Sequence, residues 1–217
     1  MEDRPKRGYV SRLRQDNAEA TRLRIAEAAR ALMLERGYAA TTMGDVAAAA
    51  GVAVQTLYTA CPGGKPGLAK VVYDVTLAGD AQPLPQHARP AVQAIIAEPD
   101  PVRKLARYAE MVLTVIQRVG PVHGVLRAAA AATPADGALH DLLAETERQR
   151  RTGARGPAEH LAATGLLRAG LTVDRAADQV YALTSVEIFE RLTGVCGWTG
   201  DDYREWLTRT LTAALLD

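Results

Sequence analysis

The stretch that decides the fold is residues 42–58, which read Thr42-Met43-Gly44-Asp45-Val46-Ala47-Ala48-Ala49-Ala50-Gly51-Val52-Ala53-Val54-Gln55-Thr56-Leu57-Tyr58. This pattern predicts two short helices that are joined by a tight turn containing Gly51. Such a turn holds one helix rigidly against another, so that the second helix can enter a groove of DNA. We therefore expect a protein that reads DNA rather than an enzyme.

Working outward, the flanking sequence predicts a compact head of several helices. A helix begins near Ala18 and stops at Gly37, because glycine tolerates the left-handed conformation that ends a helix. Thr41 or Thr42 supplies a hydroxyl to cap the next helix. A very short helix then runs from about Val54 to Ala60, and a fourth begins near Lys65 after the break at residues 62–64.

The short helices have an inner and an outer face. We expect Val46, Ala49, Val52 and Leu57 to lock the two helices together around the turn. Four side chains of the third helix then face outward: Val54, Gln55, Tyr58 and Thr59.

Residues 21–75 resemble the DNA-binding domain of TetR-type transcriptional regulators. The matching features, at fixed spacing, are Arg36-Gly37-Tyr38, Thr41-Thr42, Asp45-Val46-Ala47, Gly51-Val52, Thr56-Leu57-Tyr58, Lys65 and Leu68. The second half of the chain resembles the family only in the order and length of its helices. The DNA-binding residues that the motif and the resemblance indicate are Thr41, Thr42, Val54, Gln55, Thr56, Tyr58, Thr59 and Lys65.

Each of these outward side chains can contact a base or a phosphate of duplex DNA. Gln55 can hydrogen-bond a base edge, and Val54 can pack on a thymine methyl group. Thr59 can bond a base or a phosphate, whereas Tyr58 contacts a phosphate or packs its ring on neighbouring helices. Free N–H groups behind the Thr42 cap, together with the charge of Lys65, are expected to hold phosphates.

Three positions depart from the family pattern. The segment Cys61-Pro62-Gly63-Gly64-Lys65 is one residue longer than usual. Ala53 gives the third helix no side-chain cap, a loss of about 1 kcal/mol. Gly44 replaces a longer side chain that could reach DNA. We therefore expect specific binding of moderate strength.

Composition and charge fit this interpretation. Of 217 residues, 48% are apolar, and no apolar run approaches the ~18 residues of a membrane helix. The net charge is +1, but residues 1–75 hold 11 Lys/Arg against 8 Asp/Glu, which gives +3 for that part alone. The segment 1–17 reads as a flexible basic arm that neutralises phosphates, or as a solvated tail. We expect a cytoplasmic protein.

The histidines and cysteines show no catalytic or metal-binding arrangement. Cys61 and Cys196 stand far apart, so reduced thiols are expected, with a redox switch as the alternative. No phosphate-binding loop, nucleophile motif or metal pair occurs, so we predict no catalytic residue, no metal and no cofactor.

We predict an all-α protein with an arm at 1–17, a helix-turn-helix domain at 18–78, and a larger helical domain at 79–217. In the large domain, Pro99-Asp100-Pro101 opens a helix that runs to about Val119. Gly120-Pro121 is expected to break it, and another helix continues to about Ala132. Three more helices are expected, from 136 to 164, from 175 to 194 and from 202 to 216. The last two carry apolar stripes that form a dimer interface or face the monomer's own core. Asp174 and Asp201 or Asp202 are the predicted caps.

By resemblance, the large domain encloses a small-molecule site. Tyr108, Met111 and Val115 form a row on one helix face, and His123, Tyr181 and Phe189 are further candidates. The function expected is a homodimeric repressor that binds a palindromic operator in double-stranded DNA and is released by an unidentified effector. The alternatives are a regulator that needs no ligand, and a helical small-molecule-binding protein or enzyme.

Overall fold

The computed structural model describes residues 6–82 and 84–217, and every regular element in them is helical. The α-helices are α1 (Lys6–Ala40), α2 (Met43–Ala50), α3 (Val54–Ala60), α4 (Gly64–Ala78), α5 (Pro90–Ala97), α6 (Pro101–Ala132), α7 (Gly137–Ala163), α8 (Val173–Leu183), α9 (Val186–Glu190) and α10 (Gly200–Leu215). The predicted all-α class is confirmed. None of the helices in these two ranges is both long and apolar enough to cross a membrane.

The chain divides into two compact units, and α6 and α7 contribute residues to both. Of the described residues, 6–82 and 121–142 belong to unit 1, and 84–120 and 143–217 belong to unit 2.

In unit 1, α1 packs against α2 and α4, and α2 packs against α3. The buried face of α1 consists of Ile25, Ala26, Ala29 and Met33, each at most 2% exposed. Spacings of three and four residues place these side chains on one side of the helix. Leu68, Ala69 and Val72 are the corresponding buried residues of α4.

The first helix is longer than predicted. It begins at Lys6 rather than near Ala18, so that residues 6–17, expected to be flexible, are helical. The rest of the predicted arm, residues 1–5, lies outside the described residues. At the other end Gly37 interrupts the helix as predicted, with φ +81°.

Unit 2 is built around a core that α6, α7, α8 and α10 share. Its most buried members include Leu105 and Ala109 of α6, Ala158 of α7, Val180 of α8, and Leu207, Leu211 and Leu215 of α10. The apolar stripes considered for dimer contacts therefore face the monomer's own core. An apolar stripe shows that a helix face is covered, but it does not show by which chain.

Several helices of unit 2 begin or end at residues other than those predicted. The cap of α8 is Thr172, whose hydroxyl accepts from the Arg175 N–H, and Asp174 lies inside the first turn. Thr199 caps α10 in a reciprocal capping box with Asp202. The expected helix 175–194 is divided at Thr184, and Ser185 caps α9.

Helix α6 continues through Gly120 and Pro121, where a break was expected. A proline inside a helix leaves the carbonyl four residues earlier without its donor. Here that carbonyl belongs to Gln117, and both Gln117 and Pro121 are exposed, so water can satisfy it. The buried residues Val119 and Val122 hold the helix on its other side.

A buried lysine next to a histidine makes the stability of unit 2 depend on pH. The Lys104 ammonium donates to the backbone oxygen of Ile96 at 3.1 Å and lies 2.5 Å from His160 Nε2. Burial and the charge of Lys104 lower the pKa of His160 below its ordinary value of 6.5. A lowered folded-state pKa means that the unfolded chain binds the proton more tightly.

We expect the free energy of unfolding to be highest above pH 6.5 and to fall as the pH drops below it. Because other groups also titrate in this range, the comparison is with His160→Gln, whose side-chain oxygen accepts the same hydrogen bond. Urea unfolding at pH 7.5 and pH 5.5 should show a smaller loss for the variant. An equal loss of unfolding free energy in the two proteins would show that His160 does not cause the pH dependence.

Candidate nucleic-acid interface

The first helix of the motif, α2, is fixed at both ends. At its start, the Thr42 hydroxyl oxygen accepts from the Asp45 N–H at 3.1 Å and donates to the Asp45 carboxylate at 2.8 Å. At its end, Gly51 adopts φ +64°, and its N–H reaches the carbonyls of the preceding turn. Thr42 is thus the cap, one of the two predicted choices.

The second helix, α3, is held by one deeply buried residue. Leu57 is 0% exposed, and Val46 of α2, the helix against which α3 packs, is also 0% exposed. Ala47 and Ala50 complete the inner face of α2, whereas Ala49, which was predicted to lie there, is exposed. At 100° per residue, Val46, Ala47 and Ala50 fall within one arc and Ala49 falls outside it.

The residues of α3 that were predicted to face outward are all exposed to solvent. Val54 is 46% exposed and Tyr58 47%, large fractions for apolar and aromatic side chains. Gln55, Thr56 and Thr59 are exposed as well. We name this set of five residues the α3 face. The helix has seven residues, and Leu57 is its one buried residue. The five exposed side chains therefore contribute little to the stability of the fold and are available to contact a partner.

Two predicted DNA contacts are placed differently. Thr41 is 1% exposed, and its hydroxyl donates to the Gly37 carbonyl at 2.9 Å. The Lys65 ammonium donates to the Ala39 carbonyl at 2.8 Å and lies 4.6 Å from the centre of the Tyr38 ring. Thr41 is therefore buried, unlike the residues of the α3 face. Lys65 makes a hydrogen bond and a ring contact within unit 1.

Burial and a nearby carboxylate shift the pKa values of Tyr38 and Lys65. Burial raises the pKa of Tyr38 to about 12, and the carboxylate of Asp136 adds to the effect. Burial lowers the pKa of Lys65, against the opposing effect of Asp136. Lys65 thus links the end of α1 to the start of α4, and its contact with a phosphate stays a prediction.

The turn between α3 and α4 depends on a glycine that the sequence did not single out. Gly63 and Gly64 take φ +91° and +67°, left-handed conformations that favour glycine. The chain then folds back so closely that a Cβ atom on Gly67 would lie 1.9 Å from the Pro62 carbonyl oxygen. Cys61 at the start of this turn is 0% exposed, and burial raises the pKa of its thiol.

The start of α2 carries both a favourable and an unfavourable feature for a phosphate. Its first N–H groups lie at the positive end of a helix dipole, which favours an anion. Asp45 already occupies this end with a negative charge and takes up the Thr42 hydroxyl. Any phosphate contact here therefore relies on the backbone rather than on the threonine side chain.

The cap can be tested alone. Thr42→Ala removes the hydrogen bond to the Asp45 N–H, and we expect the free energy of unfolding to fall by about 1 kcal/mol. Thr42→Ser keeps the hydroxyl, so it should retain nearly all of this stability. Urea denaturation measures both variants, and equal stability of Thr42→Ala and the unmodified protein would exclude the cap.

The candidate ligand residues do not all come together. Tyr108, Tyr181 and Phe189 are half-buried and pack against the core of unit 2. Met111 and Val115 are half-buried on α6 but lie outside that cluster. His123 belongs to unit 1, where it is 3% exposed and its ring centre lies 6.4 Å from that of Tyr73. Within the described ranges, no three His, Cys, Asp or Glu residues are grouped to hold a metal ion.

The comparisons with known proteins agree with this geometry. Residues 25–60 match the family model for bacterial regulatory proteins of the tetR family. No curated protein matches the sequence significantly.

Solved structures match over almost the whole chain. A Rhodococcus sp. protein described as a TetR-family transcriptional regulator has 21% identity and a TM-score of 0.67, covering 90% of this chain and 98% of its own. NalD from Pseudomonas aeruginosa, the secondary repressor of the MexAB-OprM multidrug efflux pump, has 20% identity and a TM-score of 0.62, covering 93% and 98%. FadR from Bacillus subtilis, solved with stearoyl-CoA, has 16% identity and a TM-score of 0.67, covering 88% and 98%. The chain has the fold of TetR-type transcriptional regulators.

Proposed function

We propose that this protein is a transcriptional repressor that binds a palindromic operator as a homodimer and is released by a small-molecule effector. The observation that carries the proposal is the α3 face. Of the seven residues of α3, only Leu57 is buried, while Val54, Gln55, Thr56, Tyr58 and Thr59 are exposed. The match of residues 25–60 to the tetR model supports the same use of these residues.

The side chains of the α3 face suit the major groove. The amide of Gln55 can pair with an adenine edge, and the methyl groups of Val54 can contact a thymine. Tyr58 brings a hydroxyl group that can donate to a phosphate. The Thr59 hydroxyl donates to the Gln55 carbonyl at 2.9 Å, so it remains available as an acceptor for an N–H group of a base edge. Lys65 and Thr41 are left out of the proposed contacts because they are engaged within unit 1.

A dimer follows from the size of the reading helix. One helix of seven residues contacts only about four to six base pairs, which is too few for specificity. Two copies related by a two-fold axis contact two half-sites about one helical turn apart. The interface must use surfaces other than the Leu207, Leu211 and Leu215 stripe, because that stripe is buried in unit 2.

Effector control is supported by unit 2 and by its structural neighbours. FadR, which shares the fold, was solved with stearoyl-CoA, and a Saccharomonospora viridis regulator was solved with choline. An effector that binds one arrangement of a dimer more tightly shifts the population away from the DNA-binding arrangement. A regulator without an effector is the second candidate, and NalD, described as a repressor, favours repression in either case.

The proposal is tested by measuring affinity for a duplex from the protein's own upstream region as salt is raised. If the dimer neutralises six or more phosphates, affinity should fall by roughly 10³-fold between about 50 and 200 mM salt. Sedimentation of the complex should give two chains per duplex. An affinity that did not change with salt, or one chain per site, would contradict the proposal.

A further inference from the structure

The helix-turn-helix motif carries a single charged side chain, and its charge is negative. Residues 42–60 contain no lysine, arginine or histidine, and Asp45 is their one acidic residue. Binding of proteins to DNA without regard to sequence comes mainly from cations that neutralise phosphates. The motif itself therefore brings to a duplex only a charge of the same sign as the phosphates.

Asp45 lies in the first turn of α2, where its contacts fix the carboxylate. Its Oδ2 atom accepts from the Thr42 hydroxyl at 2.8 Å, and its N–H donates to the Thr42 oxygen at 3.1 Å. Both residues are exposed to solvent. Among the side chains that the structure describes, no lysine or arginine forms an ion pair with Asp45. The negative charge on this surface is therefore not neutralised by any of them.

The start of α2 is the part of the motif that faces the DNA backbone in the proposed complex. In helix-turn-helix proteins the second helix lies in the major groove while the first crosses the backbone. With the α3 face in the groove, α2 lies next to phosphates. A phosphate that approaches the exposed first turn of α2 meets the Asp45 carboxylate, and two like charges at close range repel each other.

The same carboxylate stabilises the fold. A negative charge in the first turn of a helix interacts favourably with the positive end of the helix dipole. The hydrogen bond from the Thr42 hydroxyl is also strengthened because its acceptor is charged. Asp45 therefore has opposite effects on two equilibria: it favours the folding of α2 and disfavours the approach of DNA. A residue that serves only the fold has no such opposition.

We propose that Asp45 limits the affinity of the protein for DNA, because its carboxylate repels a backbone phosphate and so weakens binding to every duplex alike. This inference rests on the proposed function, since it names a residue that tunes the same interface. Discrimination between sequences then comes from the neutral side chains of the α3 face. An effector shifts the protein off DNA only by as much as its affinities for the two arrangements differ, so a weaker complex is easier to release.

The test uses the full-length protein with Asp45→Asn, which keeps the shape of the side chain and removes its charge. Fluorescence anisotropy at about 0.1 M salt measures binding to two labelled duplexes of equal length, one from the protein's own upstream region and one of unrelated sequence. Because a homodimer carries the carboxylate twice, the variant should bind both duplexes about tenfold more tightly. The ratio of the two affinities should change by less than about threefold.

Two further measurements separate repulsion from a purely structural role. The gain in affinity should shrink as salt is raised, because the Debye length falls from about 10 Å at 0.1 M to about 3 Å at 1 M. The urea midpoint of Asp45→Asn should lie below that of the unmodified protein by roughly 0.3 M. Tighter binding by a less stable protein is the expected combination.

Two variants serve as controls. Asp45→Glu keeps the negative charge, so it should lose most of the gain that Asp45→Asn shows. Asp178→Asn makes the same change of charge at an exposed residue of α8 in unit 2, where Asp178 pairs with Arg151 at 3.5 Å. It should change both affinities by less than about twofold, because an exposed ion pair contributes little.

Unchanged or weaker binding of both duplexes by Asp45→Asn would overturn the inference. Weaker binding of the upstream duplex alone would overturn it as well, since Asp45 would then accept a hydrogen bond from a base, such as a cytosine amino group. The proposed function fails separately, if the unmodified protein binds neither duplex. An unmodified protein that binds DNA, with no gain in Asp45→Asn, would contradict the role of Asp45 alone.

Discussion

Replacing Gly67 by alanine should lower the free energy of unfolding of unit 1 by roughly 2–3 kcal/mol, a value typical of overpacking. The added Cβ would lie 1.9 Å from the Pro62 carbonyl oxygen and 2.8 Å from its carbonyl carbon. Both are backbone atoms, so the turn between α3 and α4 must move as a whole. Because this turn follows α3 directly, we also expect weaker DNA binding. Urea unfolding and operator titration measure the two effects.

Gly124→Ala is the matched control for this substitution. Gly124 also belongs to unit 1 and lies inside α6, but a Cβ there would meet no atom within 4 Å. Since alanine favours a helix over glycine, this variant should be more stable by up to about 1 kcal/mol. Opposite signs for the two alanines are the expected result. If Gly67→Ala were as stable as the unmodified protein, the close approach of the turn would be disproved.

Replacing Gln55 by glutamate should abolish most of the operator binding while leaving the fold intact. The two side chains have the same shape, but glutamate cannot donate to a base and carries a charge that phosphates repel. One base contact is worth ~1–3 kcal/mol, and the dimer makes it twice, so the loss is at least about thirtyfold in affinity. Fluorescence anisotropy with a labelled operator measures it.

Gln86→Glu makes the same chemical change at an exposed residue of unit 2. It should alter operator affinity only slightly, and neither variant should change the free energy of unfolding by more than about 0.5 kcal/mol. Equal affinity losses in the two variants would assign the effect to net charge rather than to a contact of α3.

The motif itself could be predicted from the sequence because its signals are local. The Thr42 cap, the left-handed Gly51 and the bounds of α3 each depend on residues a few positions apart. The inner face of α2 was assigned less well, since a helix of eight residues in which four consecutive positions are alanine gives a weak periodic signal. Burial of Ala50 in place of Ala49 became clear only from the packing against neighbouring helices.

Other features depend on contacts between distant residues. A lysine at the start of a helix suggests a phosphate ligand, but the carbonyl that binds Lys65 belongs to Ala39, 26 residues earlier. The close approach at Gly67 likewise results from the three-dimensional course of the turn. The stripe of Leu207, Leu211 and Leu215 indicated burial correctly, yet the covering surface is the monomer's own core.

Selection of bound duplexes from a random pool tests most directly whether α3 is the element that reads DNA. The unmodified protein should select a palindrome whose half-sites lie about one helical turn apart. A Gln55→Ala variant should keep the spacing and lose preference at one base pair in each half-site. An unmodified protein that enriched no common sequence, or a single half-site without symmetry, would contradict the account.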